Sequence, residues 1–222
     1  MQSKKPDLQQ LLMMFPDWFL KFNEEEKIVS LALYRLLAKG KPVSALALVS
    51  ESGQPIDKIE KLLSHWAGVY FNDAQEVIGY WGLSVVSMPH KFIVDDVTLY
   101  TWCAWDALFL PPLIQKKAIV ESVCPISNEI IKLVITPEGV QSVNPTTAIV
   151  SFVEPPASEK LQDDVISHFC HYVHFINSEK EIEKWESEQD GAFIYLTPSE
   201  AFELGQMKNQ AQYPRYLREG KS

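Results

Sequence analysis

The sequence predicts an α+β protein: an N-terminal winged-helix-like helical region followed by a mixed, largely antiparallel sheet core with flanking helices. Three observations carry this expectation. Capped segments with apolar residues at helical spacing fill residues 23–66. Short β-prone runs bounded by turn residues fill 90–153, and helix patterns return after 158. The boundaries read from these shifts are a leading helix over 1–22, the winged-helix-like region over 23–80 and an α+β core over 81–222.

The first segment, "MQSKKPDLQQLLMMFPDWFL", reads as an amphipathic leading helix. Its two lysines and short apolar run imitate a signal peptide, but Pro16–Asp17 break the run and no small-residue cleavage site follows. "NEEEKIVSLALYRLLAKGKP" is a helix capped by Asn23, with an acidic first turn suited to the helix dipole. Val29, Ala32, Leu33, Leu36 and Leu37 form its apolar stripe, and Gly40 with Pro42 ends it. A short helix in "SALALVSES" stops at Gly53. A third, "PIDKIEKLLSHW", turns Ile56, Ile59, Leu63 and Trp66 inward. In "VYFNDAQEVIGYWGL" two β-prone runs flank Asn72–Asp73, a hairpin signal. Three helices and a hairpin make the winged-helix-like arrangement.

Strands are expected at "HKFIV", "KAIVES", "EIIKLVITP" and "TAIVSFVEP", with a hairpin turning at Gly139 in "TPEGVQSV". "SEKLQDDVISHFC" reads as a helix that leads into a strand, "HYVHFI". Helices follow in "SEKEIEKWESEQ" and "TPSEAFELGQMKNQ", and the tail "AQYPRYLREGKS" is expected to be loosely ordered.

Charge and cysteine count narrow the function. The 222 residues carry a net charge of −9, with a pI near 5.1. A broad nucleic-acid or anionic-membrane surface needs a basic face that this chain lacks. On the third helix Asp57 and Glu60 offset Lys58 and Lys61, against a DNA-reading role. Three cysteines cannot complete a disulfide framework, which points to a reducing, cytoplasmic location. No run approaches the roughly 20 apolar residues of a membrane helix.

The stretch "LYTWCAWDALFLPP", residues 99–112, sets Cys103 and Asp106 among aromatic and aliphatic side chains, with no Lys or Arg between Phe92 and Gln115. On a helix the two lie at i and i+3, on one face. A buried carboxylate without a cation tends to keep its proton, and a neighbouring thiolate reinforces this. Asp106 is then a candidate to hold or relay a proton beside a sulfur nucleophile. The plainer reading is an Asp that caps a helix or accepts backbone N–H groups, with Cys103 a small core residue. "SHFCHYVHF" adds Cys170, His168, His171 and His174. As a helix it places Cys170 and His174 at zinc-ligand spacing; as a strand it separates His171 from Cys170 and His174. Core or surface histidines beside a structural Cys remain the alternative. Cys124, before a Pro at a strand end, reads as structural. Gly-rich phosphate loops and a Gly-x-Ser-x-Gly elbow are absent.

"LYTWCAWDALFLPPLI" followed by "FCHYVHF" resembles the organomercurial (alkylmercury) lyases of bacterial mercury resistance. The resemblance extends through "LLAKGKPVS", "IGYWGL", "MPHKFIVDD", the Cys after "ES", "VEPPAS" and "EAFELGQ". It implies that the core over 81–222 is catalytic and cleaves carbon–mercury bonds by protonolysis. The products would be a hydrocarbon and Hg(II) held by two thiolates. It assigns the catalytic roles to Cys103, Asp106 and Cys170, which also bind mercury as substrate and product, and a structural role to Cys124. Trp102, Trp105 and Phe109 are the expected pocket for the organic group. No organic cofactor is implied. Implied partners are organomercury small molecules, with mercuric reductase or cellular thiols as Hg(II) acceptors. Two departures stand out: Trp105 replaces a small aliphatic residue, and Trp81 is an apparent insertion in "GYWGL", expected to shift strand register unless a bulge absorbs it. The competing functions are a soft-metal-sensing winged-helix regulator and a binding-only lyase homologue.

Overall fold

A computed structural model describes residues 7–14, 21–153, 165–189 and 191–216. Helix α1 (Leu8–Met14) buries Leu11; the rest of the expected leading helix, at 1–6 and 15–20, lies outside the described residues. Asn23 opens α2 (Glu24–Leu37). Its side chain accepts the Glu26 N–H at 2.9 Å, and the Glu26 carboxylate accepts the Asn23 N–H at 2.7 Å. This capping box satisfies two backbone donors that a helix start otherwise leaves open. Val29, Ala32, Leu33 and Leu37 are buried as the stripe predicts. Helices α3 (Ala45–Ser52), closed by left-handed Gly53, and α4 (Ile56–His65) follow. Ile59 and Leu63 point inward on α4, whereas Ile56 is exposed, because the first turn of that helix stands clear of the core.

Strands β1 (Val69–Phe71) and β2 (Val77–Tyr80) form the expected hairpin, and Val43 bridges Val77. The second strand also pairs with β3 (Leu83–Ser84), so the hairpin is the edge of a larger sheet. That sheet continues with β4 (His90–Val94), β5 (Val97–Thr101), β6 (Ala118–Val123), β7 (Ile130–Thr136) and β8 (Gly139–Asn144). Its order is β1-β2-β3-β5-β4-β6-β7-β8, and every pairing is antiparallel. Phe92, Val94, Val120, Leu133 and Ile135 line one face and are buried. The opposite face carries Lys91 and Lys132 around Glu121, at 3.4 and 2.8 Å. This alternation is what a sheet wet on one side requires.

Helix α5 (Ala104–Ile114) packs on the buried face, and all eleven of its residues are buried. It starts later than the apolar run suggests, since Leu99–Thr101 belong to β5. The two-residue turn Asp95–Asp96, with both residues at positive φ, makes the β4–β5 hairpin that the sequence reading missed. A second sheet holds β9 (Ile149–Val153) between β10 (Phe175–Ile176) and β11 (Phe193–Leu196).

The expected helix over 158–170 is described only as α6 (Val165–His168), and residues 154–164, with most of "VEPPAS", lie outside the described residues. The strand expected in "HYVHFI" is shorter. Cys170–Tyr172 form a 3₁₀ turn, closed by Val173 N–H on Cys170 O at 3.2 Å, and only Phe175–Ile176 pair. Helices α7 (Ile182–Ser187) and α8 (Pro198–Gln212) complete the chain, the latter capped by Thr197 and Glu200. The loose tail is corrected in part. Ala211 and Gln212 are helical, and buried Tyr213 places its hydroxyl 2.7 Å from Ser30 Oγ, which also meets Tyr80 Oη at 2.8 Å. Residues 217–222 lie outside the described residues. Among the described residues no helix is long and apolar enough to cross a membrane.

Asn23→Ala should lower unfolding stability by about 1 kcal/mol, read from the urea midpoint at unchanged m-value.

Candidate active site

The first site segment is built where β5 runs into α5. Cys103 is the N-cap of α5 and Asp106 its third residue, and together they form a capping box. The Cys103 N–H donates to Asp106 Oδ2 at 2.9 Å, so the plainer structural reading of Asp106 is true as well: it caps its own helix. Thr101 Oγ1 donates to the Cys103 carbonyl at 3.0 Å, fixing the chain from the other side.

The second segment is the 3₁₀ turn at Cys170. The Ala104 N–H, an open donor of the first turn of α5, reaches the Val173 carbonyl at 3.0 Å. Ser151 Oγ of β9 donates to the Tyr172 carbonyl at 2.8 Å and accepts the His174 N–H at 3.0 Å. These bonds hold the turn against the helix start. Cys103 Sγ, Cys170 Sγ and a carboxylate oxygen of Asp106 consequently lie within 4.8 Å of one another, all three residues buried. This is the one such grouping of three His, Cys, Asp or Glu side chains among the described residues. None of the three cysteines is in a disulfide.

The electrostatics follow from burial. Desolvation pushes the Cys103 thiol well above its ordinary value, and its hydrogen bond with Cys170 and the nearby Asp106 charge add to this. Desolvation raises Asp106 to about 6, against hydrogen bonds from Cys103 and the charge of Lys208, which lower it. The cation missing from residues 93–114 is thus supplied by α8. The site pairs a protonated Cys103 thiol with a carboxylate that gains or loses a proton near neutrality. Two soft sulfurs at this separation suit a large soft cation, and the carboxylate suits proton transfer.

Gly82 shapes the wall beside Asp106. A Cβ there would fall 2.5 Å from Asp106 Cγ and 2.6 Å from Oδ1, and its φ of +96° is left-handed. Tyr80 pairs with Leu83, so Trp81 and Gly82 are the two residues of the β2–β3 loop. Trp81 takes a left-handed conformation in this turn, at φ +31°. Its indole donates to the Ala67 carbonyl at 2.7 Å, and its own carbonyl accepts from Tyr34 Oη at 3.0 Å.

The other expected residues are placed as follows. Trp102 is buried edge-on to Tyr70. Trp105 packs against Phe109, Phe152 and Phe169, and its indole donates to the Ala201 carbonyl of α8 at 3.0 Å. Phe109 also supports α8, with Asn209 Nδ2 donating to its carbonyl at 2.8 Å. Cys124 is buried, its Sγ 3.1 Å from Glu181 Oε2, outside the cluster. The zinc reading of Cys170 with His174 does not hold: His174 Nε2 bonds the His171 carbonyl at 2.8 Å, and its ring lies against Trp185. The 3₁₀ turn breaks the helical spacing that reading needed. Gly82 and Lys208 were not singled out from the sequence. Gly82 carried a signal in its place beside the apparent insertion, whereas nothing local marked Lys208.

A buried pair of thiols with one carboxylate, on an antiparallel sheet with a buried central helix, defines a protein built for soft-metal chemistry. A family model described as alkylmercury lyase matches residues 83–209. The alkylmercury lyase of Pseudomonas putida is 37% identical over 185 residues, covering 83% of this chain and 84% of that protein. That of Staphylococcus epidermidis is 35% identical over 173 residues, covering 78% and 77%. The crystal structure of the mercury-bound form of MerB2 shares the fold with a TM-score of 0.68 at 19% identity, over 91% of this chain and 97% of that one. The chain belongs to the alkylmercury lyase family.

Gly82→Ala should displace the Asp106 carboxylate and lower turnover of an organomercury substrate by roughly tenfold or more. Comparing kcat at matched thermal stability checks this.

Proposed function

We propose that the protein cleaves the carbon–mercury bond of organomercury compounds by protonolysis, using Cys103, Asp106 and Cys170. The observation that carries the reading is the buried convergence of these three side chains from distant segments, in a chain of the alkylmercury lyase family.

The organomercury cation arrives bound to a small thiolate. Cys103 sulfur displaces that thiolate, and the Cys103 proton leaves with it, relayed by the ionised Asp106. Asp106 then takes the proton of Cys170, whose sulfur becomes a second ligand to mercury. Two thiolates raise the electron density on mercury and weaken its bond to carbon. Asp106 delivers its proton to that carbon; the C–Hg electron pair forms the new C–H bond, and the hydrocarbon departs. Hg(II) stays between the two sulfurs and Asp106 is again a carboxylate. A pKa near 6 suits a group that must both take and give a proton close to pH 7.

Burial serves this chemistry by keeping bulk water from the sulfurs and the carboxylate. Trp102 supplies apolar wall for the organic group, while Trp105 and Phe109 pack behind the site against Phe152, Phe169 and α8. Hg(II) leaves by exchange onto incoming thiols, either small cellular ones or those of a mercuric reductase. No organic cofactor takes part, nucleic acid and membrane are not partners, and the enzyme works in the cytoplasm. The helices of 23–80, bridged to β2 through Val43 and Val77, form a winged-helix-like region that serves the catalytic core over 81–222, and Cys124 is structural.

Incubation with phenylmercury should release benzene in excess over enzyme, detected by gas chromatography; stoichiometric mercury uptake without benzene would overturn the reading. Cys103→Ser and Cys170→Ser should each lower turnover by about 100-fold or more. Asp106→Ala should retain a phenylmercury adduct, seen by mass spectrometry, with comparable loss of turnover. Cys124→Ser should instead keep its kcat and unfold at lower temperature. Since the ionised Asp106 accepts the first proton, kcat/KM should fall as pH drops through about 6, measured as a pH–rate profile between 5 and 8 that Asp106→Ala lacks.

A further inference from the structure

Trp81 holds a backbone conformation that a bulky side chain rarely adopts. Its φ of +31° lies in the left-handed region that favours glycine. Such a conformation persists only where the surroundings over-determine it. The Trp81 N–H donates to the Gly68 carbonyl at 3.1 Å, and its indole N–H donates to the Ala67 carbonyl at 2.7 Å. Its own carbonyl accepts the Tyr34 hydroxyl at 3.0 Å. A Cβ at Gly68 would lie 2.8 Å from the indole nitrogen, so that glycine lets the ring settle on the backbone. Tyr80, one residue earlier, is held by the same helix as Tyr34. Its hydroxyl lies 2.8 Å from Ser30 Oγ, and its ring centroid lies 4.8 Å from that of Tyr34. All of these partners belong to residues 23–80.

The next residue in the chain meets the acid. A Cβ at Gly82 would fall 2.5 Å from Asp106 Cγ and 2.6 Å from Oδ1, so the Gly82 backbone lies against that side of the carboxylate. The other oxygen, Oδ2, accepts the Cys103 N–H at 2.9 Å. The carboxylate is therefore bounded on two sides, by a hydrogen bond from its own helix start and by the backbone of the Trp81–Gly82 loop. The same loop reaches the segment of the first sulfur, because the Trp102 N–H donates to the Gly82 carbonyl at 3.1 Å. Glycine is the most conformationally free residue, so Gly82 does not fix its own position. Its neighbours fix it: the Trp102 bond on one side and the strained, triply bonded Trp81 on the other.

Resting on the lyase reading, we propose that Trp81 and Tyr34 are positioning residues that hold the Trp81–Gly82 loop against Asp106 and so fix the orientation of its carboxylate. Both act through Gly82. A carboxylate that takes a proton from sulfur and gives it to carbon must face two different atoms in turn, so a small displacement misplaces both transfers. The helices and hairpin of residues 23–80 then have a task at the site. Helix α2, through the Tyr34 hydroxyl, and the turn before β1, through the Ala67 and Gly68 carbonyls, brace the acid from outside the segment that carries it.

The test uses the full chain with phenylmercury and reads benzene release in a single turnover. Tyr34→Phe removes only the hydroxyl, and Trp81→Phe keeps a ring on Gly68 while removing the indole N–H. Each should slow benzene release by about fivefold or more. The phenylmercury adduct, seen by mass spectrometry, should still form at the parent's stoichiometry. Because both residues act through Gly82, each variant combined with Gly82→Ala should be no slower than Gly82→Ala alone, within about twofold. A role in general stability would instead multiply the two losses. Near-ultraviolet circular dichroism confirms folding, and Tyr34→Phe, the milder change, carries the test where Trp81→Phe fails to fold. Folded single variants that release benzene within about twofold of the parent rate, or losses that multiply in the double variants, overturn the proposal. Parent protein that releases no benzene overturns the lyase reading itself, whereas an active parent with unaffected variants overturns the positioning role alone.

Discussion

The hydrogen bond from the Ala104 N–H to the Val173 carbonyl is the tie on which the site depends. A helix start leaves its first N–H groups without partners, and a buried donor must be satisfied. Here one of these donors is satisfied by the turn that carries Cys170, and another backbone donor, on Cys103, by Asp106. The same requirement that stabilises the start of α5 therefore draws two sulfurs and a carboxylate together. Stability and chemistry use one set of backbone groups.

Around that tie the fold behaves as a clamp. The antiparallel sheet holds α5 from one side through Phe92, Val120 and Leu133, and α8 holds it from the other through Gly205, Lys208 and Asn209. Trp105 fills the space between the helix and the second sheet, against Phe152 and Phe169. Phe169 precedes Cys170, so Trp105 packs against the residue next to the second sulfur. A rigid backing suits a pair of ligands that must stay within reach of one metal centre throughout a reaction.

Much of the architecture was legible in the sequence where a local rule was strong. The capping box at Asn23, the stop at Gly53, the alternation in β4, β6 and β7 and the Thr197 cap all rest on neighbours within a few residues. The misses share a cause. β5 was absorbed into the apolar run of α5 because a buried strand and a buried helix look alike in composition, and the Asp95–Asp96 turn was overlooked. The strand expected after Cys170 gave way to a 3₁₀ turn whose partners, Ser151 and Ala104, are distant in sequence.

The sequence by itself determined the residue types of the chemistry: two soft nucleophiles, one acid, and their family resemblance, because those depend on identity and short spacing. Tertiary structure alone decided that Cys170 meets Cys103, that Gly82 leaves room for the Asp106 carboxylate, and that a cation stands behind a helix without any of its own. Those facts are set by distances between segments far apart along the chain. Electrostatic and steric fit depend on position in space, which no local pattern of side chains encodes.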